Sequence, residues 1–392
     1  MGKQVGNGQL MQKMNRLKVL DFIRRNPNIT RPVIADETGL SLASITNITS
    51  YLLESGLLTE SGIEPAERVG RKSTFLRFHT EAYGLILVSL KESLADISYT
   101  DLDGKVLSRQ ALDISGLSQS QVIALLEQRI SDFIQKHTDK RPLAIGVIFS
   151  GLVLDNSRFV LSSSMKWTQL DIKKSLEEST SLPVFVENIS RVKAVWYANS
   201  SKKRDVKNML FVDLENGIGA VQLSHGVINR SVLGEIGHTT IEKDGEPCFC
   251  GNRGCLEAMC SAQRVKKLYA LYAKRTDDSH ITLAEINALC RQSDTYALAA
   301  VKDCAQYLGI GLANLITLLH PSMLVLNIGD FSQCPALLEE AVQQCRLRTY
   351  PTLTQDITIC YVDITGKEAL RGAAFEVCDR LFDLNSPYNP VQ

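Results

Sequence analysis

The segment from His238 to Glu257 restricts the fold of this chain more than any other stretch. It reads HTTIEKDGEPCFCGNRGCLE and holds Cys248, Cys250 and Cys255, with nine residues between the histidine and the first cysteine. One imidazole and three thiolates are the donor set that a closed tetrahedral zinc site prefers, and the glycines of CGNRGC allow a tight turn. Because four protein ligands leave no open coordination position, we expect a zinc ion that shapes the protein and does no chemistry.

A disulfide pair and ordinary core packing are the alternative roles for these cysteines. The remaining seven of the ten cysteines are scattered without framework spacing, and the start MGKQVGNGQLMQK lacks the apolar stretch of a signal peptide. No apolar run reaches the roughly 18 to 20 residues of a membrane-spanning helix. These features predict a cytoplasmic protein without membrane insertion, in which a disulfide is disfavoured.

The first 80 residues differ in charge from the remainder. They contain eleven Lys and Arg against seven Asp and Glu, a net charge of +4, whereas the whole chain of 392 residues has a net charge of zero. A neutral chain does not coat nucleic acid along its whole surface, but a basic region can contact it. The sequence predicts a DNA-binding domain over residues 1–80 and a separate body over residues 81–392.

Three short helices are predicted in the basic region. Apolar residues recur at helical spacing from about Asn15 to Arg25, and an Asn-Pro-Asn stretch then ends the helix. Thr30 is the expected N-cap of a second helix that runs to Gly39, and Ser41 is the expected N-cap of a third. The inward-facing residues of the third helix are predicted to be Leu42, Ile45, Thr49 and Leu52. Helix, glycine turn and helix form the helix-turn-helix pattern.

Two strands, Leu57–Ser61 and Ser73–Phe78, are predicted next, with a polar loop between them that resembles a wing. In a winged helix-turn-helix the third helix enters the major groove and the wing reaches a flanking minor groove. The residues predicted to contact DNA are Arg31, Ser41, Ser44, Thr46, Asn47, Arg71 and Lys72. Since Ser41–Leu53 carries no charge, base readout there would use hydroxyl and amide groups. A three-helix protein-interaction domain is the alternative.

The body from about Tyr83 onward alternates strands and helices, which predicts an α/β architecture. The predicted strands are Leu85–Leu90, Ile97–Thr100, Ala144–Phe149, Pro183–Val186, Met209–Asp213 and Met323–Asn327. The predicted helices are Val122–His137 and Ala299–Leu319.

The motif Glu235-Ile-Gly-His238, followed by Cys-x-Cys-Gly-x-x-Gly-Cys-x-Glu, resembles the signature of the ROK family of bacterial sugar kinases and related transcriptional repressors. The resemblance implies a two-lobed, actin-like (ribonuclease H-like) body with zinc bound by the histidine and cysteines. It also implies a sugar pocket, because carboxylates accept hydrogen bonds from several hydroxyls. The sugar-binding residues that the resemblance implies are Gly151, Asn188, Glu235, His238 and Glu257.

The sequence departs from the kinase members of that family at the positions that carry catalysis. Phosphoryl transfer needs a carboxylate to accept the hydroxyl proton and glycine-rich turns to hold phosphates. Where ROK kinases have Asp-x-Gly-Gly-Thr, this chain has Lys91-Glu92-Ser93, and Ile189 replaces the catalytic aspartate. Glu215 replaces the first glycine of a second phosphate loop, and a late Gly-Gly is Ile328-Gly329. We therefore expect no catalytic residue and no enzyme activity.

The combined features predict a DNA-binding transcriptional regulator, a repressor of carbohydrate uptake or metabolism genes. It resembles the sugar-responsive repressors of the glucose, N-acetylglucosamine and xylose type, with double-stranded operator DNA as its partner. A sugar or sugar derivative in the degenerate kinase cleft would change the placement of two winged helices in a homodimer or homotetramer. The alternatives are a sugar kinase with a fused DNA-binding domain and a regulator switched by a protein partner.

Overall fold

The computed structural model describes residues 5–63, 74–137, 140–153, 159–162, 165, 167–168, 171–200, 203, 205–215, 217–232, 234–276, 280–388 and 390–391. These fall into two compact units. The first consists of Met1–Val147, Ile172–Phe185 and Ala374–Gln392, and the second of Ile148–Asp171 and Val186–Ala373. Within the described ranges, no helix is long and apolar enough to cross a membrane.

The helices are, in chain order, α1 (Val5–Arg25), α2 (Arg31–Thr38), α3 (Leu42–Glu54), α4 (Gln119–Lys136), α5 (Ile172–Thr180), α6 (Ile189–Ser200), α7 (Leu256–Cys260), α8 (Ala262–Tyr272), α9 (Leu283–Arg291), α10 (Thr295–Leu319), α11 (Pro335–Arg348), α12 (Pro351–Thr354) and α13 (Gly366–Leu381). Two 3-10 turns, Ile236–His238 and Gly329–Gln333, accompany them.

The strands form four sheets among the described residues. They are β1 (Ile29–Thr30), β2 (Leu58–Ile63), β3 (Thr74–Phe78), β4 (Gly84–Leu90), β5 (Leu94–Asp101), β6 (Val106–Asp113), β7 (Pro142–Phe149), β8 (Leu152–Val153), β9 (Phe159–Ser162), β10 (Trp167–Thr168), β11 (Val184–Asn188), β12 (Met209–Asp213), β13 (Gly219–Ser224), β14 (Val227–Ile228), β15 (Met323–Asn327) and β16 (Thr358–Val362).

The winged helix-turn-helix predicted from the sequence is present in the first unit. Its three helices accompany a small antiparallel sheet of order β1-β3-β2, in which β1 lies between α1 and α2 and Leu58 of β2 pairs with Phe78 of β3. Gly39 has a φ of +71° and ends α2, a left-handed conformation that favours glycine. The wing tip, residues 64–73, lies outside the described residues and includes the predicted DNA contacts Arg71 and Lys72.

Two details of the helix prediction were wrong. The first helix begins at Val5, ten residues before the predicted start. Leu42 is 52% exposed, although the spacing predicted that it faces inward. Leu42 is the first residue of α3, so no earlier turn of the helix lies beside it. The buried stripe of that helix consists of Ile45, Ile48, Thr49 and Leu52.

The body contains two five-stranded sheets. One has the order β11-β7-β4-β5-β6, and β4, β5 and β6 run antiparallel. The other has the order β14-β13-β12-β15-β16, in which β12, β15 and β16 are parallel. Parallel strands require crossover connections, which α10 and α11 occupy between β12 and β16. Ten of the twelve buried residues of α10 form part of the hydrophobic core of the second unit.

Candidate metal, sugar and DNA sites

Four side chains of the second unit have the spacing of a tetrahedral metal site. His238, Cys248, Cys250 and Cys255 place their donor atoms within 4.8 Å of one another. The Cys248 Sγ lies 3.6 Å from the His238 Nδ1, and the Cys250 Sγ lies 3.7 Å from the Cys255 Sγ. Zn–S bonds of about 2.3 Å in a tetrahedron would separate two sulfurs by about 3.8 Å. The four residues predicted from the sequence therefore fit a single zinc ion.

Backbone turns hold these ligands in place. Gly254 has a φ of +64°, and a Cβ atom there would lie 1.5 Å from the carbonyl oxygen of Glu242. The next residue, Cys255, forms an antiparallel bridge with Thr240 and is the N-cap of α7. Because α7 also carries Glu257, the same turn positions a candidate metal ligand and a candidate sugar ligand.

The protonation of the cluster depends on whether a metal is bound. Burial, together with hydrogen bonds to Cys250 and Cys248, raises the pKa of the Cys255 thiol to about 12 in the metal-free protein. That thiol therefore keeps its proton at neutral pH. A bound zinc ion takes the place of the thiol protons, so that metal binding releases protons and acid opposes it.

Two half-buried carboxyl groups lie beside the cluster. Burial raises the pKa of Glu257, whose Oε2 accepts a hydrogen bond of 2.8 Å from the backbone N–H of Ile218. Burial also raises the pKa of Glu235, and the charge of the nearby Glu257 acts in the same direction, against an opposing effect of His238. The structure thus brings three of the predicted sugar-binding residues, Glu235, His238 and Glu257, together at the candidate metal site.

The remaining two predicted sugar-binding residues also contact each other. Asn188 ends β11, and its Nδ2 donates a 2.8 Å hydrogen bond to the carbonyl oxygen of Gly151. Its Oδ1 accepts a 2.7 Å hydrogen bond from the backbone N–H of Ser190 in the first turn of α6. An amide side chain has two donor hydrogens and two acceptor lone pairs, so these two bonds use half of its capacity. Ile189, the position of the kinase aspartate, begins α6.

A buried ion cluster that was not predicted from the sequence lies next to Asn188. Glu187 accepts hydrogen bonds from Arg191 Nη1 at 3.2 Å and from Arg230 Nη1 at 2.7 Å. Burial opposes ionisation of Glu187, but the charges of Arg230 and Arg191 lower its pKa overall. The side chains of Glu187 and Arg191 are each only 4% exposed. The only signal in the sequence was Arg191, a charged residue among the apolar residues of α6. The second arginine that binds Glu187, Arg230, is 43 residues away from it in the chain.

A second buried cluster lies at the degenerate phosphate loop. Lys193 Nζ lies 3.0 Å from a carboxylate oxygen of Asp213 and also pairs with Glu215. The Asp213 carboxylate accepts further hydrogen bonds from Ser190 Oγ at 2.8 Å and from Asn327 Nδ2 at 2.7 Å. The residue that replaces the first glycine of the loop is therefore part of an internal ion pair.

The first phosphate motif of the kinases is likewise replaced by an ordinary turn. Lys91, Glu92 and Ser93 are exposed and join β4 to β5. The backbone N–H of Lys91 donates to the carbonyl oxygen of Leu94 at 2.9 Å, which closes a short hairpin. This turn contains no glycine whose backbone could approach a phosphate closely.

The candidate DNA-binding face is the solvent side of α3. Ser41 is the N-cap, and its Oγ accepts a 3.2 Å hydrogen bond from the backbone N–H of Ser44. Thr46 Oγ1 donates to the carbonyl oxygen of Leu42 at 2.8 Å, while Thr46 and Asn47 are exposed. The unpaired N–H groups at the start of a helix attract a phosphate, and the exposed hydroxyl and amide groups can contact base edges.

Arg31 has an internal role in the structure. Its Nε donates to Thr49 Oγ1 at 2.9 Å, and its Nη2 pairs with Glu60 at 3.2 Å. The guanidinium therefore joins α2 to α3 and β2, and its side chain is only 22% exposed. A DNA contact by Arg31 stays a prediction.

Comparison with known proteins identifies the class. The model of the ROK family matches residues 94–378, and a model described as winged helix-turn-helix DNA-binding matches residues 15–59. The chain therefore belongs to the ROK family, which confirms the resemblance seen in the sequence, and carries a winged helix-turn-helix domain. A solved structure of a ROK family transcriptional regulator, a homolog of the E. coli MLC protein, matches with a TM-score of 0.79 and 26% identity over 93% of this chain and 95% of that one.

Two relatives of this chain have the names of transcriptional regulators. The chain is 25% identical to the xylose repressor of Bacillus spizizenii over 354 residues, which are 89% of this chain and 91% of the relative. It is 28% identical to the DNA-binding transcriptional dual regulator NagC of Escherichia coli K12 over 353 residues, which are 87% and 86% of the two chains. A ROK glucokinase from Streptomyces griseus shares the fold of the body, with a TM-score of 0.60 and 21% identity over 75% of this chain and 98% of that one.

Proposed function

We propose that this protein is a sugar-responsive transcriptional repressor that binds operator DNA through its winged helix-turn-helix. The observation that carries the proposal is the exposed polar face of α3, capped by Ser41, in a winged domain joined to a ROK body. The repressor names of the relatives support it. Action on DNA in a bacterial cell implies a cytoplasmic location, and paired half-sites imply a homodimer or homotetramer.

We propose zinc as the metal of the His238 cluster. Three thiolates and one imidazole suit zinc better than magnesium or calcium, which prefer oxygen ligands. Since all four positions of a tetrahedron would be filled by protein atoms, zinc would hold the loop that leads into α7, the helix that carries Glu257, and would activate no water.

The effector that we propose is a sugar or sugar derivative bound by Glu235, Glu257, His238, Asn188 and Gly151. The closeness of the two carboxyl groups and the shared contact of Asn188 with Gly151 support this set. D-xylose and N-acetyl-D-glucosamine are the first compounds to test, since relatives are named for them. The genes controlled would then be those for carbohydrate uptake or metabolism.

We propose that the body is not an enzyme. Ile189 has no group that accepts a proton, and the side chain of Glu215 is bound to Lys193 at the degenerate phosphate loop. A carboxylate at that position repels a phosphate.

Selection from random duplex DNA tests the proposed function. The wild-type protein should enrich one motif, and its affinity for that duplex should fall with salt at a log–log slope of about 0.9 per neutralised phosphate. Arg71→Ala should lower the affinity and the slope, whereas Asn47→Ala should relax specificity with little change in the slope. Failure of the wild-type protein to enrich any motif would overturn the regulator assignment.

A further inference from the structure

The first helix of the winged domain is attached by charge to the C-terminal helix. Arg24 on α1 has a side chain that is only 5% exposed, and its guanidinium forms an ion pair with Asp379 on α13. Arg24 also lies 3.1 Å from Asp21 and 4.9 Å from the ring centroid of Phe375. Arg25 Nη2 lies 3.3 Å from the same Asp379 oxygen. Two arginines of the winged domain therefore converge on one carboxylate of α13.

Apolar packing does not close this junction completely. Arg24 and Phe375 line a cavity of about 320 Å³ together with residues of β3 and of the turn after β5. The position of α1 against α13 therefore depends on the ion pairs more than it would at a sealed apolar contact. The Asp379 side chain is 27% exposed, so the pair is partly removed from water and favours the geometry in which its two groups stay in contact. Without Asp379, both arginines keep their contact with Asp21, which lies on α1 itself.

The N-terminal half of α13 packs closely on the helix that follows the candidate sugar residue Asn188. A Cβ atom on Gly372 would lie 1.9 Å from the carbonyl oxygen of Val192 and 3.0 Å from the Cβ of Trp196, both on α6. The helix α13 begins in the second unit and ends in the first. One continuous helix therefore contacts α6 within the second unit and α1 within the first.

We propose that α13 transmits the state of the sugar site to the DNA-binding domain, with Arg24 and Asp379 as the positioning residues that connect it to α1. A ligand that binds Asn188 would displace the first turn of α6, which is hydrogen-bonded to that side chain. Because α6 and α13 are in close contact at Gly372, a displacement of α6 would displace α13 as well. The Arg24–Asp379 pair then moves α1 and with it the recognition helix α3. This coupling rests on the proposed function and gives it a physical route.

A double-mutant cycle on operator affinity tests this coupling without a known effector. The duplex is the one enriched by the wild-type protein, and its Kd is measured by fluorescence anisotropy. Gly372→Ala forces α6 and α13 apart, and we expect it to change Kd by about fivefold or more. In a chain that also carries Asp379→Asn, the same substitution should change Kd by less than about twofold.

The control is Glu178→Gln, which removes an equal charge from an exposed pair with Lys174 in the same unit. It should leave the effect of Gly372→Ala unchanged. If Gly372→Ala does not fold, as judged by its circular dichroism, Trp196→Leu takes its place because it alters the same contact from the α6 side. A merely structural role of Asp379 predicts additive effects on Kd, which would refute the coupling while operator binding stands. Failure of the wild-type protein to select a duplex overturns the proposed function and this coupling together.

Discussion

The loop that carries the candidate metal ligands His238, Cys248, Cys250 and Cys255 lies in the same unit as the degenerate phosphate loop at Glu215, yet the carboxyl groups at the two loops have different partners. At the metal-ligand loop, Glu257 is half-buried near His238 and receives a single backbone hydrogen bond among those described. At the phosphate loop, Glu215 and Asp213 are both paired with the buried ammonium of Lys193. The first arrangement leaves carboxylate oxygens for a ligand, whereas the second satisfies its charges internally. The proposed sugar site therefore keeps carboxyl groups that can accept hydrogen bonds, whereas the carboxylates of the phosphate loop are held by an internal ion pair.

Of the substitutions at the two loops, removal of a metal ligand should lower the stability of the protein most. Cys255→Ser removes a fully buried thiolate, and we expect loss of the zinc and a fall of more than about 4 kcal/mol in the free energy of unfolding. Elemental analysis and thermal melting measure the two changes. Cys360→Ser, at a half-buried cysteine outside the cluster, should retain one zinc per chain. Absence of zinc from wild-type protein purified without chelator would contradict the metal assignment.

Loss of the central charge of the phosphate loop should have the next largest effect. Lys193→Met leaves Asp213, which is 1% exposed, without its cation, and breaking a buried pair in this way costs about 3 to 5 kcal/mol. Denaturant unfolding measures the loss. Lys174→Met breaks a pair in which both side chains are 69% exposed and should cost at most about 1 kcal/mol. An equal loss of stability in the two variants would show that the Lys193 cluster contributes no more than an exposed ion pair.

Substitutions at the proposed sugar site should weaken sugar binding and leave the fold intact. Glu257→Ala or Glu235→Ala removes charge-assisted hydrogen bonds worth about 1.5 to 3 kcal/mol each, and sugar affinity measured by calorimetry should fall accordingly. Operator binding by the sugar-free protein should persist. Glu285→Ala, at an exposed residue paired with Arg275 on the neighbouring α8–α9 segment, is the control. Unchanged release of operator by sugar in both site variants would refute the pocket.

We expect the protein to have no sugar kinase activity. With ATP and either D-xylose or N-acetyl-D-glucosamine, a coupled assay for ADP should detect no phosphorylation, because neither Ile189 nor the hairpin at Lys91 supplies the required groups. Glu215→Gly alone should not restore it, since the proton acceptor is still missing. Measurable phosphorylation by the wild-type protein would contradict this prediction and show that the phosphate loop still functions.

Features encoded within short segments were predictable from the sequence. Cys248, Cys250 and Cys255 stand within eight residues, so the ligand spacing is visible without a structure. Ser41 caps α3 as predicted because a cap depends on residues only three positions apart. The strand Met323–Asn327 was predicted with its observed bounds, since a buried parallel strand reads as a continuous apolar run. In each case the interaction that determines the feature is local.

Tertiary structure alone decided which distant charges meet. Arg25 and Asp379 are 354 residues apart, Glu187 and Arg230 are 43 apart, and Lys193 and Glu215 are 22 apart. Each of these residues taken alone would read as an ordinary surface charge. Burial makes a particular partner necessary, because a charge removed from water must be compensated by whatever the packing of helices and strands brings within reach. The packing therefore determined which ion pairs form.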